Sequence, residues 1–234
     1  MIRALLYEQF RPERARLFRE LLDLHAHPER LEAVQHARLA ALCQHAKSKC
    51  SYYREHLSGL SDDLSNWRSV PILTRQDLFR EWEGLKSSDY QSRHSFENRS
   101  GGSTGEPVRF LQDHATHEWK QAVSRLFDHW AGHKQGASRV LLWGSERDLD
   151  GRSVRGEIGK FARNELTLQG FRMSSDDMFR YVKTLNQFRP DLLVGYSDAL
   201  HEFSRFVKEA GVEVYPPGRV ISSAGTLFPH MREK

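Results

Sequence analysis

No stretch of this sequence approaches the roughly 20 apolar residues that a membrane-spanning helix requires, so it offers no candidate span. Its opening, MIRALLYEQFRPERAR, meets charge too early for the apolar core of a secretory signal. Cysteine is scarce. Cys43 and Cys50 are the only two in 234 residues, and no CxxC pair or Cys/His set is present to hold zinc. On a helix their spacing puts them on one face, about 10 Å apart along the axis and too far for an undistorted disulfide. Such thiols suit a reducing compartment, and the chain reads as cytoplasmic. Charge of one sign is not in large excess: 35 Lys and Arg stand against 31 Asp and Glu, for a net +4. The charges are interspersed and no basic–aromatic module accompanies them, which argues against nucleic acid as a partner. Anionic small molecules remain open.

Other signatures are missing too. GxxxxGK followed by Ser or Thr does not occur, which excludes a P-loop NTPase. Twelve histidines include the close pairs His25/His27, His114/His117 and His129/His133, but no glutamate completes an HExxH, so a metal site is not expected.

What is there is a globular balance, 38% hydrophobic and 28% charged. Residues 1–57 read as helical, with Leu17, Leu21, Leu22 and Leu24 in one stripe and Leu31, Val34, Leu39 and Leu42 at mixed spacing. Thr74 with Asp77 signals a capped helix from Arg75 to about Trp82. The character changes after residue 95. Asp113 to Trp130 repeats Trp119, Val123, Leu126, Phe127 and Trp130 at threes and fours. Trp119, Trp130 and Trp143 are expected in the core. Arg139–Trp143, Leu166–Leu168, Asp191–Gly195 and Arg219–Ser223 read as strands, with helices opened by Ser174 and Ser197 between them. Strand–helix alternation predicts a parallel α/β sheet. Ligands of such sheets bind beyond the carboxyl ends of the strands. Gly144, Gly195-Tyr196 and Ser223-Ala224-Gly225 fall at that edge, and Glu146, Arg147, Asp148 and Asp150 follow one strand end as a solvated loop or a site lining.

The densest local signal is RSGGSTGEPVRF, residues 99–110. Gly101, Gly102 and Gly105 permit positive φ, so successive N–H groups can turn inward as an anion nest. Ser100, Ser103 and Thr104 add hydroxyl donors, Pro107 stiffens the exit, and Val108-Arg109-Phe110 can pair as a strand. A plain flexible loop has the same composition. No strong strand is apparent before it.

SGGSTGEP resembles the phosphate-binding loop of adenylate-forming enzymes, and the flanking text narrows the likeness. Ser51-Tyr-Tyr-Arg54, Val70-Pro-Ile-Leu-Thr-Arg-Gln-Asp-Leu78, Trp130-Ala-Gly132, Arg139-Val-Leu-Leu-Trp-Gly144, Phe188-Arg-Pro190, Gly195-Tyr-Ser-Asp-Ala-Leu200 and Val220-Ile-Ser-Ser-Ala-Gly-Thr-Leu227 resemble, in order, segments of the phenylacetate-CoA ligase family. The likeness is greatest to its capsular-polysaccharide branch. The resemblance implies a helical N-terminal segment (1–94) followed by the α/β nucleotide-binding part (95–234) of an adenylating domain. It implies that a small-molecule carboxylate attacks ATP, with Mg2+, and that a thiol such as coenzyme A then takes the acyl group. Ser100, Gly101, Gly102, Ser103, Thr104 and Gly105 would wrap the β- and γ-phosphates. Ser222, Ser223, Ala224 and Gly225 would lie by the adenine and the acyl pocket. Tyr196 would border the substrate or simply pack.

Three departures stand against the family pattern. Val108-Arg109 follows the proline where many members carry lysine. Gly225 stands where glutamate is usual. The family pattern also continues well past Lys234, into the ribose-binding aspartate and a mobile lid. The expectation is therefore the N-terminal part of an adenylate-forming ligase, completed by a missing C-terminal half or partner chain. The alternative is a non-catalytic nucleotide-binding remnant or interaction module.

Overall fold

The computed structural model describes residues 11–100, 106–144 and 164–232. The chain forms two compact units, one of Arg16–Val123 and one of Met1–Ala15 with Ser124–Lys234.

The N-terminal region is helical: α1 (Pro12–Ala26), α2 (Leu31–Lys49), α3 (Ser51–His56), α4 (Arg75–Arg80) and α5 (Trp82–Leu85). On α1, Leu17 and Leu24 are buried. On α2, of the apolar residues at mixed spacing, Leu31 is 43% and Leu42 62% exposed. Cys43 goes inside instead, against Leu57, Leu60, Leu64 and the half-buried Leu39, Tyr53 and Val70. The apolar residues of α2 recur at mixed spacing, so no face dominates and contact with the following segment decides. α4 begins with the predicted capping box, Thr74 accepting from the Asp77 N–H and Asp77 reaching back to the Thr74 N–H at 2.9 Å. It stops short of Trp82 because Glu81 leaves helical geometry (φ −98°, ψ 22°), and α5 starts afresh.

β1 (Phe96–Arg99) and β2 (Arg109–Gln112) form an antiparallel hairpin, Phe96 opposite Gln112 and Arg99 opposite Arg109. β1 is the short strand before the glycine-rich run, where the sequence shows no strong one. FENR has no apolar alternation and is exposed throughout, so only its pairing with β2 defines it. α6 (His114–Trp130) follows, with the Asp113 carboxylate accepting from the Thr116 N–H at 2.7 Å and paired with Arg93 at 2.7 Å. The buried positions of α6 are Glu118, Ala122, Leu126 and Asp128. Trp130, the last residue of the helix, is 53% exposed, which corrects its expected place in the core. Trp119 is half-buried and carries the Arg38 guanidinium 4.6 Å from its ring.

The second unit holds β3 (Arg139–Leu142), β4 (Glu165–Leu168), α7 (Ser175–Phe188), β5 (Leu192–Tyr196), α8 (Ser197–Ala210), β6 (Arg219–Ser223) and α9 (Pro229–Arg232). The strands run parallel in the order β4-β3-β5-β6. The sheet packs Val140, Leu142 and Leu193 against Tyr181, Val182 and Leu185 of α7 and Ala199 and Phe203 of α8. Leu185 is 1% exposed, and truncating it to alanine costs about 2–5 kcal/mol. Ser174 and Asp177 form a second capping box on α7. Arg189 (φ 49°) and Gly211 (φ 62°), both left-handed, end α7 and α8. The architecture is α/β, a helical N-terminal region and a parallel four-stranded sheet.

Candidate functional site

All four parallel strands deliver their carboxyl ends to one edge of the second unit. β3 leads into Trp143-Gly144 and β4 into Gln169-Gly170-Phe171, while β5 ends at Tyr196 and β6 at Ser223. The register places Tyr196 opposite Ser223 and Gly195 opposite Ser222. The residues read from the sequence as substrate-bordering and nucleotide-bordering are thus neighbours across β5 and β6. Tyr196 is half-buried, its ring stacked on Trp143 (centroids 4.1 Å, 22°) and edge-on to Phe171 (5.6 Å, 84°). Phe171 is 67% exposed. Trp143 therefore belongs to this aromatic group at the edge and is only half-buried. Its place was readable from the end of RVLLW, whereas Phe171 carried no signal.

Beyond β6 the chain turns through Ala224 at φ 56°, a left-handed position that costs a non-glycine residue energy. The Ser197 hydroxyl, on a residue 1% exposed, donates to the Gly225 carbonyl at 3.1 Å and fixes the far side of that turn. Gly225 is not demanded by its surroundings. A Cβ there would meet only Ser197, at an ordinary 3.5 Å. Gly170 is demanded, since a Cβ would come within 3.0 Å of the Leu142 carbonyl oxygen.

In the other unit the hairpin closes just below the glycine-rich run. The Ser100 N–H donates to the Val108 carbonyl and the Val108 N–H to Ser100 Oγ, both at 2.9 Å. The Ser100 oxygen thus serves the neck of the hairpin. Arg109 lies 4.7 Å from the Trp82 ring and 3.7 Å from Glu97, which also pairs with Arg99 at 3.2 Å. Gly101, Gly102, Ser103, Thr104 and Gly105 lie outside the described residues, as do Glu146, Arg147, Asp148 and Asp150.

The amino edge of the sheet is a structural ion network. Asp191 accepts from His133 Nδ1 at 2.7 Å and from the Arg219 guanidinium. Arg139 bridges Asp128 at 2.9 Å and Glu165 at 3.7 Å. Burial pushes the Asp128 carboxyl above its ordinary value, and the Arg139 charge opposes that. His133 is therefore a partner of Asp191, and it lies beyond the last turn of α6. Among the described residues no three His, Cys, Asp or Glu side chains come together to hold a metal. Both cysteines are buried and unpaired, and burial pushes their thiols up, away from nucleophilic use. No helix among the described residues is long and apolar enough to cross a membrane.

No protein-family model matches the chain. Protein CapK of Staphylococcus aureus is 22% identical over 208 residues, 86% of this chain and 46% of that protein. Among solved structures, a 2-hydroxyisobutyryl-CoA ligase in complex with 2-HIB-AMP and CoA in the thioesterification state aligns with a TM-score of 0.53 and 19% identity. That alignment covers 79% of this chain and 41% of the ligase. An open conformation of the ligase, also with 2-HIB-AMP and CoA, gives a TM-score of 0.51 and 15% identity over 75% of this chain and 40% of the other. The chain spans less than half the length of these relatives. Over that span its α/β fold is similar to that of these CoA ligase structures.

Proposed function

We propose that this chain is the N-terminal part of an adenylate-forming acyl- or aryl-CoA ligase, similar to the phenylacetate-CoA ligases and serving capsule or exopolysaccharide assembly. One observation carries the reading. The SGGSTGEP run lies between the paired strands β1 and β2, in a chain whose fold matches ligases bound to an acyl-adenylate and CoA. The likeness to CapK supports the capsule assignment.

In the proposed reaction a carboxylate oxygen of the substrate attacks the α-phosphorus of ATP. The acyl–O–P bond forms, the bond to the β-phosphate oxygen breaks, and pyrophosphate leaves. A thiol, coenzyme A in the simplest case, then takes the acyl group and AMP departs. Such chemistry asks the protein mainly for placement and charge neutralisation. Ser100, Gly101, Gly102, Ser103, Thr104 and Gly105 would offer N–H and O–H donors to the phosphates. Arg109 would add positive charge where the family's lysine is missing. Ser222, Ser223, Ala224 and Gly225 would border the adenine and acyl group, with the Tyr196 ring beside them. Mg2+ would travel with the phosphates.

A second reading, a nucleotide-binding remnant without turnover, is favoured by Gly225. Its Cβ position is open, so glycine there answers no steric need, and the acid usual at this place is simply lost. ATP–pyrophosphate exchange across a panel of aryl and aliphatic acids, assayed on the chain together with the C-terminal part that the proposal calls for, separates the two. Acid-dependent exchange, abolished by Gly105→Asp, is expected for the ligase. ATP binding with no exchange for any acid would establish the remnant. Nucleotide affinity unchanged by Gly105→Asp would refute the loop's role in both.

A further inference from the structure

The return arm of the β1–β2 hairpin is held from outside the hairpin. Glu106 precedes Pro107, and a residue before proline is turned away from helical geometry. Proline in turn has no N–H to offer. Arg75, the first residue of α4, donates from its guanidinium to the Glu106 carbonyl, across 31 positions of sequence. The Thr74–Asp77 capping box fixes the backbone that carries Arg75, and its guanidinium lies 5.5 Å from the Phe79 ring. Asp77 is committed to Thr74 and, at 2.8 Å, to Arg80. Among the described residues Arg75 pairs with no carboxylate, so its charge strengthens the bond to the hairpin. Together with the two Ser100–Val108 bonds, this contact ties both ends of the run to fixed points.

We infer that Arg75 is a positioning residue that fixes the Glu106–Val108 return of the hairpin. That this serves a nucleotide rests on the proposed function; the tether itself does not.

Hydrogen–deuterium exchange on peptides spanning residues 96–112 tests it, in wild type, Arg75→Ala and Arg75→Lys, with ATP titration calorimetry on the same proteins. Arg75 is exposed, so its loss leaves the fold in place, and peptides covering β5 and α8 serve as the internal control. Arg75→Ala should speed exchange at Val108–Gln112 about fivefold and weaken ATP binding by a similar factor. Arg75→Lys, which keeps a charged donor, should restore most of both. Exchange in Arg75→Ala equal to wild type would overturn the tether. Faster exchange with undiminished ATP affinity would uphold the tether and overturn its link to the nucleotide. Faster exchange in a protein whose wild type binds no ATP would uphold the tether and overturn the phosphate-loop reading.

Discussion

Gly195, inside β5, is the position where adding one methyl group tests the packing of the sheet most directly. A Cβ there would lie 2.9 Å from Leu200 Cγ, 3.1 Å from its Cδ2 and 3.2 Å from Leu142 Cβ. Leu200 is half-buried and can swing aside, but Leu142 is 2% exposed and its Cβ moves only with the backbone of β3. Overpacking of this kind costs about 1–3 kcal/mol. Replacing glycine recovers about 0.4–1 kcal/mol through the unfolded chain. Gly195→Ala should therefore destabilise by about 1–2 kcal/mol, a fall in Tm of about 2–8 °C for a chain of this size. Leu200→Ala removes the closest atoms, so the double variant should lose less than the sum of the singles by about 1 kcal/mol. Thermal and urea unfolding of the four proteins supplies the cycle. Wild-type stability in Gly195→Ala, or strict additivity with Leu200→Ala, would refute the close approach of β5 to α8.

Other perturbations follow from the same geometry. Gly225→Glu should fold with wild-type stability to within about 0.5 kcal/mol, because its Cβ meets nothing closer than 3.5 Å; a large loss in a melting experiment would contradict the open position. Ala224→Val places a β-branched residue at φ 56° and should cost about 1–3 kcal/mol, measured by urea unfolding. Ser174→Ala removes the α7 cap and should cost about 1 kcal/mol in the same assay. The Ser65 N–H, with the Ser61 and Ser65 hydroxyls, holds the Asp63 carboxyl down at about 2, from an ordinary 3.8. Its folded value is the lower one, so its contribution is complete above pH 3.8 and is lost as pH falls toward 2. A carboxyl-carbon NMR titration should find that midpoint, and Ser61→Ala with Ser65→Ala should move it upward.

Local features were the legible ones. Both capping boxes join side chains three residues apart, so Thr74/Asp77 and Ser174/Asp177 could be read directly from the text. β3 and β5 declared themselves as apolar runs between helices, and the parallel sheet followed. β1 did not, because FENR is a strand by virtue of its partner rather than its own pattern. On α6 bulk alone misled: the small Ala122 is fully buried, whereas Phe127 and Trp130 are about half exposed. For the candidate site, the sequence identified the strand ends but not what gathers there. Trp143 and Tyr196 meet only because β3 and β5 are neighbours. The Ser197–Gly225 and Arg75–Glu106 bonds likewise join residues far apart in the chain, and no periodicity announces them.

The strand order has a cost in time. β3 sits between β4 and β5, so the centre of the sheet closes only when Arg139 can meet Leu192, about 50 positions later. At ribosomal rates of about 5–20 residues per second, Val140 and Leu142 wait about 3–10 s for the strand that covers their edge. During that interval the nascent chain displays an apolar ribbon with unmet hydrogen-bonding groups, the surface that chaperones bind and aggregates recruit. Soluble yield should depend on the speed of synthesis and the supply of chaperones, even where the finished protein is stable.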